Sequence, residues 1–469
     1  MTRFVGLLAR LVALAATVIA VRTMLSPVPE EEPTAVLNQY PFYHPRTLQL
    51  FEQLNAAAAG APEKPQLRNI DVTPVKEDSG VLFVLHDPSG ISPGSAAVTQ
   101  AGLRVLQLLD GTRTLDEVVR AVQDFAPDHA QAGARVRDLL EALDQNLFLF
   151  DTNFRLAVQQ TVTAFAQASA RDPITMGGSY PADPTATRTQ IADYLAGAAG
   201  GAIPKGRLRA IVAPHIDYQR GHETYGAIYG ALQALPKAPR FVILGTAHQP
   251  SYRFFAATRK QYVTSLGAAT TDQDFLDGLV RRYPHPLFED EFLHRGEHSI
   301  ELEIPFLQAL FGADVRIVPI LCGSLHEFFL SGQDPLQRPE IADFISALRQ
   351  TIAASEGDTI LIAASDLSHM GPHFGDQFLM NDAALERVRA TDSQLLARIA
   401  SDDPRGLISD LSATTNATRW CGVAPIYTML ETLDGAGRNY AIDVLKYQQC
   451  TDEERFTTVT IPAIAITQQ

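Results

Sequence analysis

Three apolar stretches of this chain end in the same way, and this repetition constrains the fold more than any other feature of the sequence. They end in His215, in His248, and in Asp366 with His369. Open α/β sheets bind ligands in the crevice at the carboxyl ends of their strands, so parallel neighbouring strands would bring these four side chains together. A single histidine at a strand end is more often structural, but three histidines with an aspartate favour a shared site. The stretches, each with the length and β-branched content of a buried strand, are "RAIVAPH", "FVILGTAH" and "ILIAASDLSH".

From about residue 180 onwards, strand-like and helix-like patterns alternate. Such alternation predicts an α/β fold, a sheet with helices on both faces. Helices are expected between the strands, for example in "HETYGAIYGALQAL" and "GVAPIYTMLETL". The predicted strands are "LRAIVAP", "RFVILGT", "VRIVPIL", "TILIAAS", "AIDVLKY" and "TTVTIPAIAI".

A cysteine adds a fifth candidate to the four strand-end side chains. Cys421 precedes a predicted helix, and a helix N-terminus favours the thiolate, the form that binds metals and attacks electrophiles. Taken alone, such a cysteine more often serves in packing. With Cys322 and Cys450 it makes three cysteines, too few in 469 residues for a disulfide framework. The count fits a reducing compartment and predicts a cytoplasmic protein.

The acidic composition excludes one class of partner. The formal net charge is −15 and the sequence pI is about 5.2, whereas a sequence-independent nucleic-acid binder needs clustered Lys and Arg. With 46% hydrophobic and 19% charged residues, the chain has ample material for packed cores. Its length of 469 residues predicts more than one domain.

Composition and pattern divide the chain into five segments. The first is apolar, the second is rich in Pro, Ala and Glu, and the fourth connects two folded domains. The second segment is predicted to be a linker with one helix around "PRTLQLFEQLNAAAA". The third is predicted to be a small winged-helix-like α+β domain, and the fifth is the α/β domain. The segments are 1–23, 24–62, 63–155, 156–180 and 181–469.

The first segment contains the apolar stretch 4–21, which Arg3 precedes and Arg10 interrupts. An uninterrupted transmembrane helix needs about 20 apolar residues, and no clear small-residue cleavage site of a signal peptide is present. Three interpretations stay open: a membrane anchor, a signal peptide, or a non-native extension of a protein that begins at Met24.

The third segment has the pattern of a hairpin, three helices and a wing. The hairpin is expected in "SGVLFVLHDPSG", and Thr114 with Glu117 has the spacing of a capping box before the second helix. Through "LLDGTRTLDEVV" and "LLEALDQNLFLF" this segment resembles PqqD-like domains, which recognise peptides in modification systems. The resemblance implies a peptide or protein ligand, and the acidic second helix argues against DNA. A purely structural appendage is the alternative.

Six ordered motifs make the chain from about 180 to 469 similar to the Memo family. Its bacterial and archaeal members are labelled component B of the AmmeMemoRadiSam system. The Memo fold resembles that of the class III extradiol (LigB-like) dioxygenases, which bind non-haem Fe(II) at the edge of a mixed α/β sheet. The resemblance also implies an AMMECR1-type protein and a radical SAM enzyme as partners. The motifs are "APHIDY", "LGTAH", "GEHSIELEIPFLQALF", "VPILCG", "ASDLSH" and "CGVAPI".

The same resemblance implies a role for each candidate residue. His215 and His248 fall where the dioxygenases place their iron-binding histidines, and Cys421 falls where they place a carboxylate ligand. His369 falls at their acid/base histidine, and Asp366 is implied to orient that ring or to reach the metal. Because a thiolate replaces a carboxylate, copper and zinc become alternatives to the expected Fe(II). Ring cleavage therefore does not carry over with the resemblance.

The motif "EHSIELEIPF" offers further polar groups near the same crevice. Glu297, His298 and Glu301 are potential ligands, since His298 and Glu301 share one helix face at i, i+3. We favour a supporting role in which they cap the helix and form hydrogen bonds beneath the pocket, with His298 and Glu297 behind the metal ligands. Five other histidines are expected to face solvent and receive no role: His222, His285, His294, His326 and His373.

Three functions from different classes fit these residues. In the first, Fe(II) or copper is held by His215, His248 and Cys421 for redox chemistry, and His369 moves a proton. In the second, the pocket binds a peptide or a modified side chain without turnover, as animal members of the family are described as binding phosphotyrosine peptides. In the third, Cys421 is the nucleophile of a hydrolase, with His369 as base and Asp366 as its orienting partner. Whether the protein is an enzyme depends on which of them applies.

Overall fold

The computed structural model describes residues 36–37, 39–57, 64–77, 80–125, 129–198, 205–434 and 440–469. The chain divides into two compact units between Gln167 and Ala168. This division lies inside the predicted connector 156–180, and the apolar stretch 4–21 lies outside the described residues. In the part of the chain that is described, no helix combines the length and the apolar character needed to cross a membrane.

The N-terminal unit contains a three-stranded antiparallel sheet. Strand β1 (Asp71–Glu77) pairs with β2 (Gly80–His86), and β3 (Ala96–Val98) pairs with the other edge of β2. The hairpin is therefore formed by β1 and β2, and of the stretch predicted as a hairpin only β2 is a strand. The chain leaves the sheet at Asp87, because the Asp87 carboxylate accepts hydrogen bonds from the amides that follow β2 and holds a turn there.

Helices complete this unit. The capping box of Thr114 and Glu117 is present at the start of the second predicted helix, as expected. In the stretch "LLEALDQNLFLF", Leu149 forms a single antiparallel bridge with Leu67. The first helix, predicted within the linker, packs through Phe51 against Phe150. Assignment of the unit to the winged-helix class stays a prediction. The helices are α1 (Pro45–Ala57), α2 (Gln100–Leu106), α3 (Leu115–Gln123), α4 (His129–Gln145) and α5 (Thr152–Gln167).

The C-terminal unit is built on a mixed sheet. Its strands are β4 (Ala170–Arg171), β5 (Arg207–Ala213), β6 (Arg240–Thr246), β7 (Phe255–Ala257), β8 (Gln261–Thr264), β9 (Gly267–Thr271), β10 (Arg316–Cys322), β11 (Thr359–Ala364), β12 (His369–Met370), β13 (Tyr440–Thr451) and β14 (Thr458–Gln468). Their order in the sheet is β12-β14-β5-β11-β6-β10-β9-β8-β4, with β13 paired to β14 and β7 paired to β10. All six predicted strands are present, as β5, β6, β10, β11, β13 and β14, and the predicted α/β fold is confirmed.

Helices flank this sheet on both faces. Side chains alternate along β5, so Ala210 and Val212 point into a core shared with several helices, while Ile211 points to the opposite face, where the helix Tyr218–Gly230 packs. Six helices contribute to the core of the first face: Gln273–Val280, His326–Ser331, Pro339–Ala354, Asp382–Ala400, Pro404–Ala413 and Val423–Asp434. The α-helices of the unit are α6 (Pro184–Gly197), α7 (Tyr218–Gly230), α8 (Gln273–Val280), α9 (Ile304–Phe311), α10 (His326–Ser331), α11 (Pro339–Ala354), α12 (Asp382–Ala400), α13 (Pro404–Ala413) and α14 (Val423–Asp434). Short 3-10 helices span Ala231–Ala234, Glu291–Arg295, Glu301–Glu303, Pro335–Gln337 and Pro372–Phe374.

The centre of the sheet determines where the conspicuous side chains lie. Strand β11 lies between β5 and β6 and runs parallel to both. Its last residue, Ala364, is in register with Ala213 of β5 and with Gly245 of β6. The three strands therefore end side by side, and the segments that follow them share one edge of the sheet.

Candidate metal centre

The three strand ends meet as the sequence predicted. His215, His248 and Asp366 each lie two residues beyond the end of their strand, β5, β6 and β11 respectively. The rings of His215 and His248 are 5.0 Å apart between centroids and perpendicular to each other. The equal spacing after parallel, in-register strands is what brings these side chains to one place.

His215 is fixed by hydrogen bonds at both its backbone and its ring. Its amide donates to Oδ1 of Asp366 at 2.8 Å, and its Nδ1–H donates to the carbonyl of Ala364 at 2.9 Å. The ring nitrogen Nε2 is thus directed at Cys421, 3.3 Å from Sγ. Burial alone would lower the pKa of His215, but Asp366 and Cys421 raise it to about 9.

His248 is oriented by a buried carboxylate. Glu297 accepts from the His248 amide at 2.9 Å and from its Nδ1–H at 3.0 Å, which leaves Nε2 of His248 available. Burial opposes ionisation of both groups, yet their mutual attraction holds the pKa of His248 well above its usual value and that of Glu297 well below. Gly245, the residue before the end of β6, makes this arrangement sterically feasible, because a Cβ there would lie 2.5 Å from Ile300 and 2.8 Å from Ser299.

Cys421 enters the cluster from the start of helix α14. Its Sγ lies 3.7 Å from the carbonyl of Asp366, and the amide of Gly422 donates to the same carbonyl at 3.1 Å. Burial would raise the pKa of this thiol, but His215 and His369 lower it to about 5. The metal-free protein therefore holds Cys421 as a thiolate at neutral pH.

The ligand atoms of His215, His248 and Cys421 all lie within 4.8 Å of one another. Two imidazoles and a thiolate are a donor set that suits iron, copper and zinc. Both rings are held through Nδ1, which is how proteins commonly orient metal-binding histidines. The residues therefore fit a metal ion, and the three predicted ligands form a group that could hold one.

His369 lies close to this group but has orienting partners other than the predicted one. Its Nδ1–H donates to the carbonyls of Leu367, at 3.0 Å, and Arg419, at 3.2 Å. Asp366 instead faces His215, with Oδ2 3.9 Å from Nε2 of that ring. His369 is partly exposed and keeps Nε2 available, so its position suits a proton carrier.

The histidine and glutamates of "EHSIELEIPF" divide between two places. The ring of His298 stacks on His248 with centroids 4.8 Å apart, and burial with the nearby positive rings lowers its pKa to about 4. His248, Glu297 and His298 form a second group with ligand atoms within 4.8 Å of one another. Glu301 lies elsewhere, in a fully buried ion pair with Arg171.

The partners of Glu301 are residues that the sequence analysis did not identify. Arg171 pairs with Glu301 and donates to the carbonyls of His294 and Glu297. Tyr180 donates to the same Glu301 carboxylate at 2.8 Å. An isolated arginine before a Pro- and Gly-rich loop carries no local signal of such a role. These contacts anchor the segment after β4 behind the site.

Comparison with known proteins identifies the family to which the chain is similar. A family model described as "Memo-like protein" matches residues 171–464. A MEMO1 family protein of Aquifex aeolicus is 25% identical over 374 residues, which are 80% of this chain and 92% of that protein. One from Thermus thermophilus is 31% identical over 262 residues, 56% of this chain and 73% of that protein. One from Methanopyrus kandleri is 27% identical over 289 residues, covering 60% and 93%.

The matched region contains all the candidate ligands. Residues 171–464 include His215, His248, Asp366, His369 and Cys421 together with the central strands of the sheet. Because a family model matches more than half of its length and relatives are matched over most of theirs, the chain belongs to the Memo-like family.

Proposed function

We propose that the C-terminal unit is a metal-dependent redox protein in which His215, His248 and Cys421 bind iron or copper. One observation carries this proposal: the three ligand atoms lie within 4.8 Å of one another while hydrogen bonds at Nδ1 fix both rings. Zinc fits the same donors but would not support one-electron chemistry. A bound iron or copper ion would supply electron transfer and open positions for a substrate and O₂.

Residues around the ligands have separable tasks in this proposal. Asp366 holds the backbone of His215, and Glu297 holds both the backbone and the ring of His248. His369 takes up or delivers a proton at Nε2, because its Nδ1–H is engaged by two carbonyls. His215 is 2% exposed whereas the side chain of His248 is 36% exposed, so a small substrate would approach from the side of His248.

The family resemblance alone supports the proposed setting of this chemistry. We propose an AMMECR1-type protein and a radical SAM enzyme as partners in a modification system, and a peptide as the ligand of the N-terminal unit. The match to the Aquifex aeolicus protein covers 80% of the chain, so it extends beyond the C-terminal unit into the N-terminal one. The presence of sequence from both units in one relative supports a joint task.

A second function is favoured by the state of Cys421. A thiolate with a pKa of about 5, 3.3 Å from the imidazole of His215, has the features of a cysteine nucleophile. The base in this alternative would be His215, because the Asp366 carboxylate lies beside His215 and the ring of His369 is held by carbonyls. Metal content separates the two functions.

The test is metal analysis of protein purified anaerobically without an affinity metal column. Wild type is compared with His248→Ala and Cys421→Ser. Matched controls are His285→Ala, which deletes a half-buried histidine bonded to Asp343 at 2.9 Å, and Cys450→Ser, which changes a buried thiol. We expect about one equivalent of iron or copper in wild type and in both controls, and its loss in both site variants.

A wild type that takes up neither Fe(II) nor copper when these are added anaerobically would overturn the redox proposal. Zinc retained to the exclusion of both would overturn it as well. The cysteine nucleophile would then be tested by inactivating Cys421 with iodoacetamide and screening for loss of ester or thioester hydrolysis. If metal is found, consumption of O₂ in the presence of reductant is the next measurement.

A further inference from the structure

Helix α12 carries a buried carboxylate that none of the sequence motifs includes. Asp392 is 0% exposed, and its two oxygens accept three hydrogen bonds. Oδ1 accepts from Oγ of Ser368 at 2.5 Å and from Nε1 of Trp420 at 2.7 Å, while Oδ2 accepts from the hydroxyl of Tyr447 at 2.7 Å. All three donors are neutral groups, so the burial of this charge depends on their hydrogen bonds.

Two of the three donors are adjacent in sequence to candidate site residues. Ser368 precedes His369, and Trp420 precedes Cys421. The indole Nε1 of Trp420 also donates to Oγ of Ser368 at 3.0 Å, which closes a triangle with Asp392. The carboxylate therefore joins the segment that carries the proton carrier to the segment that carries the thiolate.

Backbone hydrogen bonds join the two segments at two points, and the Arg419 side chain adds a third link by donating to the carbonyl of His369 at 2.9 Å. The amide of His369 donates to the carbonyl of Thr418 at 2.8 Å, and the amide of Gly422 donates to that of Asp366 at 3.1 Å. Between these two points the chain passes through Arg419, whose φ of +57° is in the left-handed region. The triangle lies at this irregular turn and fixes the side chains on either side of it.

We propose that Asp392 is a positioning residue that fixes Cys421 and His369 relative to each other, acting through Trp420 and Ser368. Loss of either donor leaves Oδ1 of Asp392 with one hydrogen bond in place of two, and the segments shift until water or another group replaces the lost donor. The distances between Sγ of Cys421 and the imidazole rings of the site then change. One readout of this inference rests on the metal site proposed above, and a second does not.

The test compares single-group deletions at the same carboxylate. Ser368→Ala and Trp420→Phe remove hydrogen bonds at Oδ1, on the side of the site, whereas Tyr447→Phe removes one hydroxyl at Oδ2. Tyr447 lies in β13, away from both site segments, and is the matched control. Asp392→Asn and Asp392→Ala complete the set, because an amide oxygen still accepts from both Ser368 and Trp420.

The first readout uses Co(II) alone as the probe of the loaded site. The thiolate-to-cobalt absorption in the near ultraviolet reports the position of Cys421, and titration gives the affinity. We expect Ser368→Ala, Trp420→Phe and Asp392→Ala to weaken Co(II) binding about tenfold or more and to change this absorption. We expect Tyr447→Phe to leave both unchanged at a similar loss of thermal stability, and Asp392→Asn to restore most of the affinity.

The second readout uses the metal-free protein. The rate at which iodoacetamide alkylates Cys421, followed by peptide mass spectrometry at pH 7, reports the same displacement without any metal. If Ser368→Ala and Trp420→Phe match Tyr447→Phe in the alkylation rate, and in Co(II) binding where it occurs, the inference is overturned. If wild type binds no Co(II) but the alkylation rates separate as expected, the proposed function fails and the positioning role stands.

Discussion

Glu297 accepts two hydrogen bonds from one residue, His248: the backbone amide donates at 2.9 Å and the ring Nδ1–H at 3.0 Å. The same carboxylate accepts from the amides of His298, at 2.8 Å, and Ser299, at 2.9 Å. The Glu297 carboxylate therefore connects two segments: the loop after β6, at His248, and the segment that begins at His298. The orientation of one candidate ligand is thus tied to the folding of a segment about fifty residues away.

Replacing this carboxylate by an amide is the first prediction. Glu297→Gln keeps one acceptor for the two segments but loses the negative charge that raises the basicity of the His248 ring. Changes at such outer partners typically cost 10- to 100-fold in metal affinity, and we expect a loss in this range in competition titrations with a chelator. Asp343→Asn, which acts on His285 in the same way outside the site, is the control. Equal affinity in wild type and Glu297→Gln would contradict this role.

The second prediction concerns the close approach of Gly422, just before helix α14, to the two residues that follow strand β11. A Cβ on Gly422 would lie 2.3 Å from Cβ of Ser365 and 2.7 Å from the carbonyl oxygen of Asp366. Because neither group can rotate away, Gly422→Ala must displace the start of the helix and Cys421 with it. We expect a loss of about 1–3 kcal/mol in the free energy of unfolding, or more, together with weaker metal binding.

Urea unfolding of the metal-free protein measures this loss. The control is Gly230→Ala at the end of helix α7, where a Cβ would meet no atom within 4 Å. An alanine there is expected to be neutral or slightly stabilising. If Gly422→Ala unfolds at the same urea concentration as Gly230→Ala, the steric argument for Gly422 is wrong.

The sequence predicted the sheet and the convergence of its strand ends because both are encoded locally. Strand periodicity identifies β5, β6 and β11. When strands are parallel neighbours, their carboxyl ends lie at the same edge of the sheet, independently of the other elements. The pairing of acids with histidines is not encoded in this way. Asp366 follows β11 but supports His215, whose amide reaches it from another strand, 151 positions away. Such partners depend on the relative placement of distant elements.

The same reasoning explains the other groups that the sequence left unassigned. Arg171 meets Glu301 across 130 positions, and Asp392 meets Trp420 across 28 positions, from a helix whose pattern is ordinary. The N-terminal hairpin was predicted too far along the chain, because the apolar run of β2 has a clearer strand pattern than the sequence of β1. Local sequence patterns were sufficient to predict the strands and helices, whereas the pairing of polar side chains depends on the tertiary packing.

The third prediction is a shifted pH profile for alkylation of Cys421. Burial raises the pKa of this thiol, but His215 and His369 outweigh it and bring the pKa to about 5. Above that pH the reactive thiolate is present, so the iodoacetamide rate in metal-free protein should reach half its plateau near pH 5. An unperturbed cysteine would do so near pH 8.5.

The controls for this profile are within the same chain. Burial raises the pKa of Cys450 to about 12 and raises that of Cys322, so both should stay unmodified. His215→Gln removes the strongest favourable neighbour and should move the Cys421 midpoint to higher pH. A midpoint that stays at the same pH in His215→Gln would show that another group stabilises the thiolate.

The fourth prediction concerns His294, which was expected to face solvent and is instead 0% exposed. Its Nδ1 accepts from the hydroxyl of Tyr262 at 2.7 Å, and its Nε2–H donates to the carbonyl of Ala256 at 3.0 Å, an arrangement that requires the neutral ring. Burial, with a smaller contribution from Arg171, lowers the pKa of His294 to about 3. An unfolded chain would protonate this histidine near pH 6.5.

The sign of the pH effect follows from these two values. Above pH 6.5 the ring is neutral in both states and contributes no pH dependence. Between pH 6.5 and about 3 the unfolded chain binds a proton that the folded protein excludes, so stability falls as the pH falls, by up to about 1.4 kcal/mol per pH unit. His294→Gln cannot titrate but can still donate to Ala256. Its destabilisation relative to wild type, measured by urea unfolding, should therefore be largest at pH 7 and shrink towards pH 4. A difference that stays constant over this range would mean that His294 binds its proton with the same pKa in the folded protein as in the unfolded chain, and the buried neutral tautomer would be wrong.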